Sequence, residues 1–239
     1  AVVLARAGVS VRVYEASDDV GGGARTQRLT LPGFEHDIGA AVFPLAVASP
    51  LFRALDLGHE GLSFVDAPLP LAHPLDGGRA VPVARSLTET AAALGPDAEA
   101  YARLMKPFVS QFPALIDDAL APLHVPRHPG VMARFGWRAV RSTVGLARRL
   151  RTDGGRGLLA GLGAHSFLSL FERGSAAVTL MLGAAAHAVG WPFARGGARA
   201  LTSALAKRLR ALGGDIVLGM RVESLTELPP ADVVLLDLG

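Results

Sequence analysis

The chain has 239 residues, of which 50% are hydrophobic, and its formal net charge is +3. This length suits one large domain or two smaller ones, and the composition excludes a disordered chain. Because cysteine is absent, disulfides, thiolate nucleophiles and cysteine-ligated zinc are excluded, and a cytoplasmic location is expected.

The first residues predict a helix, a strand and a glycine-rich turn. Residues 1–8 have a helical pattern that stops at Gly8, and residues 11–14 form a short apolar run that predicts a strand. Glu15 follows this strand, and a glycine triplet begins at Gly21. In dinucleotide-binding folds a carboxylate at the end of the second strand accepts hydrogen bonds from the adenosine ribose, about 20 residues after the first glycine of G-x-G-x-x-G. Glu15 has the position of this ribose ligand, so we expect the glycine loop to precede residue 1 and interpret the chain as an internal piece of a longer protein.

The middle of the chain predicts a mainly helical region. Residues 62–83 alternate loosely and predict short strands or a hairpin, and Ser86 and Glu89 have the form of a capping box that opens a helix. Apolar side chains then recur at helical spacing past Pro107, where a kink is expected, at Tyr101, Leu104, Met105, Phe108, Phe112 and Leu115. Residues 86–188 are therefore predicted to be largely helical.

The positive charge is concentrated in residues 127–156, which contain eight arginines and one acid, Asp153. Four arginines recur at helical spacing, at Arg134, Arg138, Arg141 and Arg148, and an opposite, mainly apolar face is formed by Met132, Phe135, Ala139, Thr143, Leu146 and Leu150. This pattern predicts a basic amphipathic helix. A solvated outer face is the first interpretation, a peripheral membrane contact is a second hypothesis, and nucleic acid is disfavoured because no nucleic-acid motif lies nearby.

A second apolar segment, residues 174–191, is interrupted by Thr179, His187 and several small residues. A packed helix is therefore predicted there in preference to a membrane span.

The two ends of the chain predict parts of one α/β sheet. Residues 30–41 predict a short hairpin, and Gly196 with Gly197 opens a helix that carries leucines on one face, at Leu201, Leu205, Leu209 and Leu212. Gly213 and Gly214 end that helix, and short strands are predicted over residues 215–218, 221–225 and 233–236, the last within the apolar run 231–239.

We therefore predict an α/β fold class with an incomplete Rossmann-like domain and an inserted, mostly helical substrate domain. The predicted Rossmann-like domain comprises residues 1–50 and 193–239, and the substrate domain comprises residues 51–192.

Three segments together resemble a known family. Residues 13–26 resemble the second FAD motif of the flavin amine oxidase and phytoene desaturase superfamily, and the phytoene dehydrogenase-like branch is the closest match. Residues 31–39 extend the resemblance. The segment in which the chain returns to the FAD-binding domain, called the return segment, is matched by residues 192–197, the helix that follows, Gly213, Gly214 and Val222. The resemblance covers the two ends of the chain and leaves the middle unmatched.

The resemblance implies that FAD is the cofactor and gives roles to individual positions. Glu15, with Ala16 beside it, would hold the adenosine ribose, and Gly21 and Gly22 would let the backbone approach the phosphate and ribityl region of the cofactor. Gly23, the next residue of the turn, is also a predicted cofactor-binding position. The remaining implied positions are Gly39, Ala40 and Ala41 near the isoalloxazine, Val222 with backbone hydrogen bonds to adenine, and Arg25 on the flavin side.

This sequence departs from the family pattern after the glycine pair. Many members carry arginine there, whereas this chain has Gly23, and its first arginine is Arg25. Three alternatives also stay open. Glu15 could be an ordinary strand-end carboxylate in water, and residues 21–23 could be a flexible turn. Gly196 and Gly197 could begin a helix packed close to a strand without touching the cofactor.

Other catalytic signals are weak. His124 and His128 are four residues apart, but Pro126 disfavours the helical turn that would align them, so no metal site is predicted. His165 and His187 lie in apolar helical settings and are predicted to be packed core residues. No catalytic residue is assigned.

The resemblance implies an FAD-dependent oxidoreductase that dehydrogenates a hydrophobic small molecule, such as a polyene, by hydride transfer to flavin N5. The alternatives are an amine or protoporphyrinogen oxidase-like enzyme and a non-catalytic fragment that binds little FAD. An NAD-dependent dehydrogenase is disfavoured by the glycine cluster that follows Glu15.

Overall fold

The computed structural model describes residues 1–237, in which short strands alternate with helices at both ends and helices dominate the middle. The strands are β1 (Arg12–Tyr14), β2 (Ala24–Gln27), β3 (His36–Gly39), β4 (Phe64–Val65), β5 (Leu71–Leu75), β6 (Arg79–Val83), β7 (Phe193–Ala194) and β8 (Asp215–Val217). The α-helices are α1 (Val2–Arg6), α2 (Pro44–Ala48), α3 (Pro50–Leu55), α4 (Leu87–Ala93), α5 (Ala98–Val109), α6 (Phe112–Ala119), α7 (Pro129–Ala139), α8 (Thr143–Ala147), α9 (Asp153–Gly163), α10 (Ser175–Ala188) and α11 (Ala198–Ala211).

The chain divides into two compact units. Unit 1 contains Ala1–Ala41, Leu57–Leu62 and the residues from Gly196 onward, and unit 2 contains Val42–Asp56 and Ser63–Arg195. The predicted domain boundaries after residues 50 and 192 stay predictions.

Unit 1 is built on two strand pairs. β1 and β8 are parallel, with Val13 opposite Ile216, and β2 and β3 are antiparallel, with Thr26 opposite Asp37. The predicted hairpin is therefore displaced, because its first strand lies before residue 30 rather than within residues 30–41. Parallel strands need a long crossover between them, and here the chain enters β8 directly from α11.

The helix predicted after Gly197 is confirmed as α11. Leu201 and Leu209 are buried, Leu205 is half-buried, and the helix ends just before Leu212, Gly213 and Gly214. Gly213 has a φ of +82°, a left-handed conformation that glycine adopts without strain and that commonly ends a helix.

The prediction of three strands after α11 is correct only for the first, β8. Residues 221–224 have no regular structure, Leu225–Glu227 is a short 3₁₀ helix, and residues 233–236 form no strand. A strand is stable only when a neighbour pairs with its backbone, and the apolar side chains of residues 233–236 are exposed in the described chain. Residues 238 and 239, the end of the predicted run 231–239, lie outside the described residues.

Unit 2 is mainly helical, as predicted for residues 86–188. Its core is formed mainly by buried side chains from α4 to α10, and the largest of those that are fully buried include Tyr101, Phe108, Met105, Leu115, Ile116 and Leu158. Ser86 begins α4 and its Oγ accepts a hydrogen bond from the backbone N–H of Glu89 at 3.2 Å, which confirms the predicted helix start. Pro107 lies in the last turn of α5, and the chain resumes as α6 at Phe112.

The segment 174–191 forms the packed helix α10, as predicted. Ala176, Leu180 and Ala184 are fully buried, and the helix contacts α5, α7 and α9. No helix among residues 1–237 has the length and apolar content needed to cross a membrane.

The predicted single basic helix over residues 132–150 is wrong, because the structure divides it into α7 and α8. Ser142 begins α8, with its Oγ accepting a hydrogen bond from the N–H of Gly145 at 3.0 Å. Backbone N–H groups of Gly174 and Ala176 donate to the carbonyl of Arg141, the residue just before. The chain therefore leaves the helical path at Arg141, although the predicted apolar face is buried at Phe135, Ala139 and Leu146.

Candidate functional site

The strand end at Glu15 is the first part of the candidate site, which lies in unit 1. The backbone N–H of Glu15 donates to the carbonyl of Val217 at 2.9 Å, and the N–H of Met220 donates to the carbonyl of Glu15 at 3.0 Å. These bonds continue the β1–β8 pairing by one residue and fix the half-buried Glu15 at the carboxyl end of a parallel strand. Ligands of open α/β sheets bind beyond this end of the strands.

Ser17 connects the side chains of Glu15 and Arg25. The backbone N–H of Ser17 donates to Glu15 Oε1 at 2.8 Å, and Arg25 donates from a terminal guanidinium nitrogen to Ser17 Oγ at 3.2 Å. Ser17 thereby holds the Glu15 carboxylate and the Arg25 guanidinium close together. These groups form strong hydrogen bonds with sugar hydroxyls and with phosphate, respectively.

Arg25 has one hydrogen-bond donor without a partner. Its Nε atom is buried and makes no hydrogen bond within residues 1–237. A buried donor left unpaired costs free energy, so this N–H is suited to donate to an acceptor from outside the chain. The Arg25 side chain therefore fits an anionic cofactor.

The glycine triplet forms the turn that brings Arg25 back beside Ser17. Gly21 and Gly22 have φ values of +141° and +51°, and the Gly21 carbonyl accepts a hydrogen bond from the N–H of Ala24 at 2.8 Å. A Cβ at Gly21 would lie 2.8 Å from Arg25 Cγ, so this glycine is required by the turn itself. At Gly23 the backbone has no left-handed φ and a Cβ would meet nothing within 4 Å, so the described chain gives no reason for glycine there.

Gly39 packs against this turn at the end of β3. Its φ is +79°, a Cβ on it would collide with the carbonyl oxygen of Gly23, and the N–H of Ala40 donates to that same carbonyl at 2.8 Å. Gly39, Ala40 and Ala41 are exposed, as is Ala16 on the other side of the strand end. The structure therefore brings the residues predicted at 39 and 40 to the glycine turn.

The return segment after β8 passes beside Glu15. The N–H of Gly219 donates to the carbonyl of Ser17 at 3.0 Å, next to the bond that Met220 makes with Glu15. Val222, two residues further, is half-buried and its backbone makes no hydrogen bond within the described residues. Its N–H and carbonyl are thus free for the adenine contact that the resemblance implies.

One structural feature of unit 1, the cap of α11, has no signal in the local sequence. Asp37 Oδ1 accepts hydrogen bonds from Thr26 Oγ1 at 2.6 Å and from the backbone N–H of Ala198 at 2.8 Å, and Thr26 Oγ1 accepts one from the N–H of Arg199 at 3.0 Å. The β2–β3 hairpin therefore caps the N-terminus of α11. A Cβ at Gly197 would lie 2.7 Å from Asp37 Oδ1, so the close packing of a helix against a strand accounts for this glycine.

The segment that carries His124 and His128 is bound to the carboxylate of Asp118. The carboxylate of Asp118 accepts hydrogen bonds from the N–H groups of Arg127 and His128 at 2.9 and 2.8 Å and lies 3.0 Å from His124 Nε2. Burial raises the pKa of Asp118, but these hydrogen bonds together outweigh it and the net pKa is lowered. Among the described residues, no group of three or more His, Asp or Glu side chains could hold a metal ion.

His187 is a packed core residue, as predicted, whereas the prediction for His165 is wrong because its side chain is exposed. The His165 Nδ1 atom lies 3.1 Å from the Gly161 carbonyl at the end of α9, and its ring meets the edge of Trp191. Helix α9 ends at Gly163, two residues before His165. The apolar helical pattern on which the prediction rested therefore stops before residue 165.

The parallel strand end, the Glu15 carboxylate and the glycine turn lie together in unit 1, at the end of the strands where open α/β sheets bind their ligands. A family model described as flavin-containing amine oxidoreductase matches residues 1–239, and the chain belongs to this family. The prediction of FAD as the cofactor and the resemblance to the flavin amine oxidase superfamily are thereby confirmed.

Solved structures share the fold at low sequence identity. The protein PF1083 from Pyrococcus furiosus is 15% identical with a TM-score of 0.54, and a variant of putrescine oxidase from a structure-based redesign of cofactor binding is 21% identical with a TM-score of 0.53. Each comparison covers 91% of this chain and 47% of the solved chain, so the chain spans about half the length of these structures. No curated protein matches the chain.

Proposed function

We propose that the chain forms part of an FAD-dependent oxidoreductase and that unit 1 binds the adenosine half of the cofactor in a Rossmann-like manner. The observation that carries this proposal is the Glu15–Ser17–Arg25 connection at the end of β1. The site fits FAD in its chemistry, because a carboxylate suits the ribose hydroxyls and the unpaired Arg25 Nε suits an anionic oxygen.

The roles of the individual residues follow from their contacts. Glu15 binds the ribose through the carboxylate oxygen that Ser17 leaves free, and Ser17 fixes the orientation of that carboxylate. Arg25 supplies positive charge at the glycine turn, and Gly22 and Gly23 leave space for close backbone approach. Bound FAD supplies the hydride acceptor of the reaction.

An amine is the substrate class that the family description favours. The family is one of amine oxidoreductases, and a putrescine oxidase shares the fold. A substrate amine must reach the flavin uncharged at the reacting nitrogen, so a water-excluding pocket is expected in the complete protein.

The alternative of a polyene substrate rests on the resemblance of residues 13–26 to the phytoene dehydrogenase-like branch. The apolar residues of the helical region that motivated it, such as Phe108 and Phe112, are packed in the core of unit 2. Their burial gives the polyene alternative no support. A peripheral membrane contact through residues 127–156 also stays a hypothesis.

Two experiments test the proposal. The absorbance spectrum and flavin content of the purified 239-residue chain after dialysis against FAD are expected to show bound flavin, and an empty chain at saturating FAD contradicts the cofactor proposal in favour of the non-catalytic fragment.

For the complete protein, anaerobic bleaching of the flavin by primary and secondary amines, compared with polyenes in detergent, separates the substrate classes. Bleaching by amines alone is expected, and bleaching by polyenes alone contradicts the amine assignment.

A further inference from the structure

A groove in unit 2 brings three arginines together over an apolar floor. The groove has a volume of about 600 Å³ and is lined by Ala100, Arg103, Leu104, Arg138, Leu146, Arg149 and Leu150. Its floor consists of the buried side chains of Leu104, Leu146 and Leu150. The arginines come from α5, α7 and the residues just after α8, so tertiary packing assembles the cluster.

Two contacts hold these elements in place. The Arg138 guanidinium carbon lies 5.6 Å from the centroid of the Phe108 ring, which fixes the α7 arginine over α5. The buried Asp97, just before α5, accepts hydrogen bonds from the N–H groups of Arg151 and Thr152 at 2.6 and 2.9 Å. Asp97 therefore holds the segment that follows Arg149 against the start of α5.

The charge of this cluster is not balanced within the chain. Arg103 pairs with Glu99 at 2.6 Å, but neither Arg138 nor Arg149 has a carboxylate within 4.0 Å among residues 1–237. Burial lowers the pKa of Arg138, and the charges of Arg134, Arg149 and Arg141 lower it further. Like charges held this close favour an anion between them.

We propose that this groove binds a phosphate group and that Arg138 and Arg149 are its ligands. Guanidinium groups present paired donors that match phosphate oxygens, whereas the apolar floor suits the carbon part of a phosphate ester. The phosphate belongs either to a soluble phosphate compound or to the headgroup of an anionic lipid. Both present negatively charged phosphate oxygens to the arginines. The groove belongs to unit 2, and the candidate FAD site belongs to unit 1.

Single substitutions with matched controls test the groove. R138Q and R149Q each remove one groove charge, and R127Q and R173Q remove the same charge from exposed positions outside the groove. Affinity for inorganic phosphate is measured from the rise in unfolding temperature at constant ionic strength, and affinity for vesicles is measured by flotation with phosphatidic acid or phosphatidylcholine. R138Q and R149Q are expected to weaken binding by about tenfold each, and the controls by less than about threefold.

The two arms identify the source of the phosphate. Saturable stabilisation by inorganic phosphate that R149Q weakens supports a soluble phosphate ligand. Flotation with phosphatidic acid that R149Q weakens, without stabilisation by inorganic phosphate, supports a lipid headgroup. Binding of neither probe by the wild type, or equal losses in R149Q and R173Q, overturns the proposal.

A substitution that increases the positive charge of the groove also tests the proposal, and it does so even if R138Q fails to fold. Glu99 is an exposed carboxylate that pairs with the groove residue Arg103 and offsets its charge, so E99Q raises the net positive charge around the ligands Arg138 and Arg149. E99Q is expected to bind phosphate more tightly, by about threefold. An unchanged affinity in E99Q contradicts the assignment of the groove.

Discussion

Glu15 Oε1 accepts a hydrogen bond from the backbone N–H of Ser17 at 2.8 Å, which turns the carboxylate back over the end of β1. The bond engages one carboxylate oxygen and leaves the other for a ligand. Because the Ser17 hydroxyl also accepts a hydrogen bond from Arg25, the orientation of Glu15 is coupled to the glycine turn that positions Arg25.

Glycines 21 and 23 are predicted to respond differently to alanine. Gly21→Ala is expected to lower the free energy of unfolding by more than about 1 kcal/mol, because its φ of +141° strains an L-residue and its Cβ meets Arg25. Gly23→Ala is expected to change it by less than about 0.5 kcal/mol, since its Cβ meets nothing within 4 Å. Urea unfolding of both variants measures the difference, and equal destabilisation contradicts this account of the turn.

Asp37 is predicted to stabilise unit 1 by capping α11. Asp37→Ala removes the acceptor for the N–H of Ala198 and for Thr26 Oγ1, and a loss of about 1–2 kcal/mol in the free energy of unfolding is expected. Glu35→Gln is the control, because within residues 1–237 the Glu35 carboxylate makes surface ion pairs with Arg199 and Arg28. Its substitution is expected to lower the free energy of unfolding by less than about 1 kcal/mol. A similar loss in both variants, in urea unfolding at neutral pH, argues against the cap.

Asp97 is predicted to be the most important buried carboxylate of unit 2. Asp97→Ala leaves two backbone N–H groups and the Thr152 hydroxyl without their acceptor, so a loss of about 3 kcal/mol or more is expected. Asp153→Asn, in the exposed first turn of α9, is the control and is expected to stay near the wild type. Thermal unfolding measures both, and a mild effect of Asp97→Ala contradicts the assigned role.

The same carboxylate predicts acid sensitivity. Burial raises the pKa of Asp97, but the hydrogen bonds from Thr152 and Arg151 together outweigh it and the net pKa is lowered. A lowered folded-state pKa means that the stabilisation is complete above the ordinary value of 3.8 and is lost as the pH falls through the folded-state pKa. Asp97→Asn is expected to reduce the loss of unfolding free energy as the pH falls through this range. An unchanged pH dependence of the unfolding free energy contradicts the prediction.

Tyr101 and His187 are predicted to form a pH-sensitive pair in the core of unit 2. His187 Nδ1 faces the carbonyls of Ala84 and Arg85 and must donate, so Nε2 accepts from the Tyr101 hydroxyl at 2.8 Å. Tyr101→Phe leaves that buried acceptor unpaired and is expected to cost about 1–3 kcal/mol in urea unfolding. A cost below about 0.5 kcal/mol contradicts the pairing.

Burial lowers the pKa of His187, and the carbonyls of Arg85 and Ala84 oppose this shift only in part. The unfolded chain therefore binds a proton first as the pH falls, so the stabilisation is complete above the ordinary value of 6.5 and declines below it. His187→Gln is expected to show a shallower loss of stability between about pH 7 and pH 5 than the wild type. An identical slope in the two proteins contradicts this origin of the pH dependence.

Local patterns in the sequence predict what short-range chemistry determines. The apolar run before Glu15, the leucine face of α11 and the Ser86 cap are confirmed, because each depends on residues within a few positions. The Asp37 cap of α11 joins residues 161 positions apart, and the end of α7 before Ser142 depends on hydrogen bonds from residues of α10 and its start. Such contacts exist only after tertiary folding, so no local pattern predicts them.

The affinity of the 239-residue chain for FAD, compared between the wild type, Glu15→Gln and the control Glu35→Gln, tests the central claim most directly. Quenching of flavin fluorescence gives the dissociation constant, and circular dichroism confirms that each variant is folded. Glu15→Gln is expected to raise the dissociation constant by about tenfold or more, because the charged acceptor for the ribose is lost, whereas Glu35→Gln stays near the wild type. Equal affinities of wild type and Glu15→Gln for FAD would contradict the account.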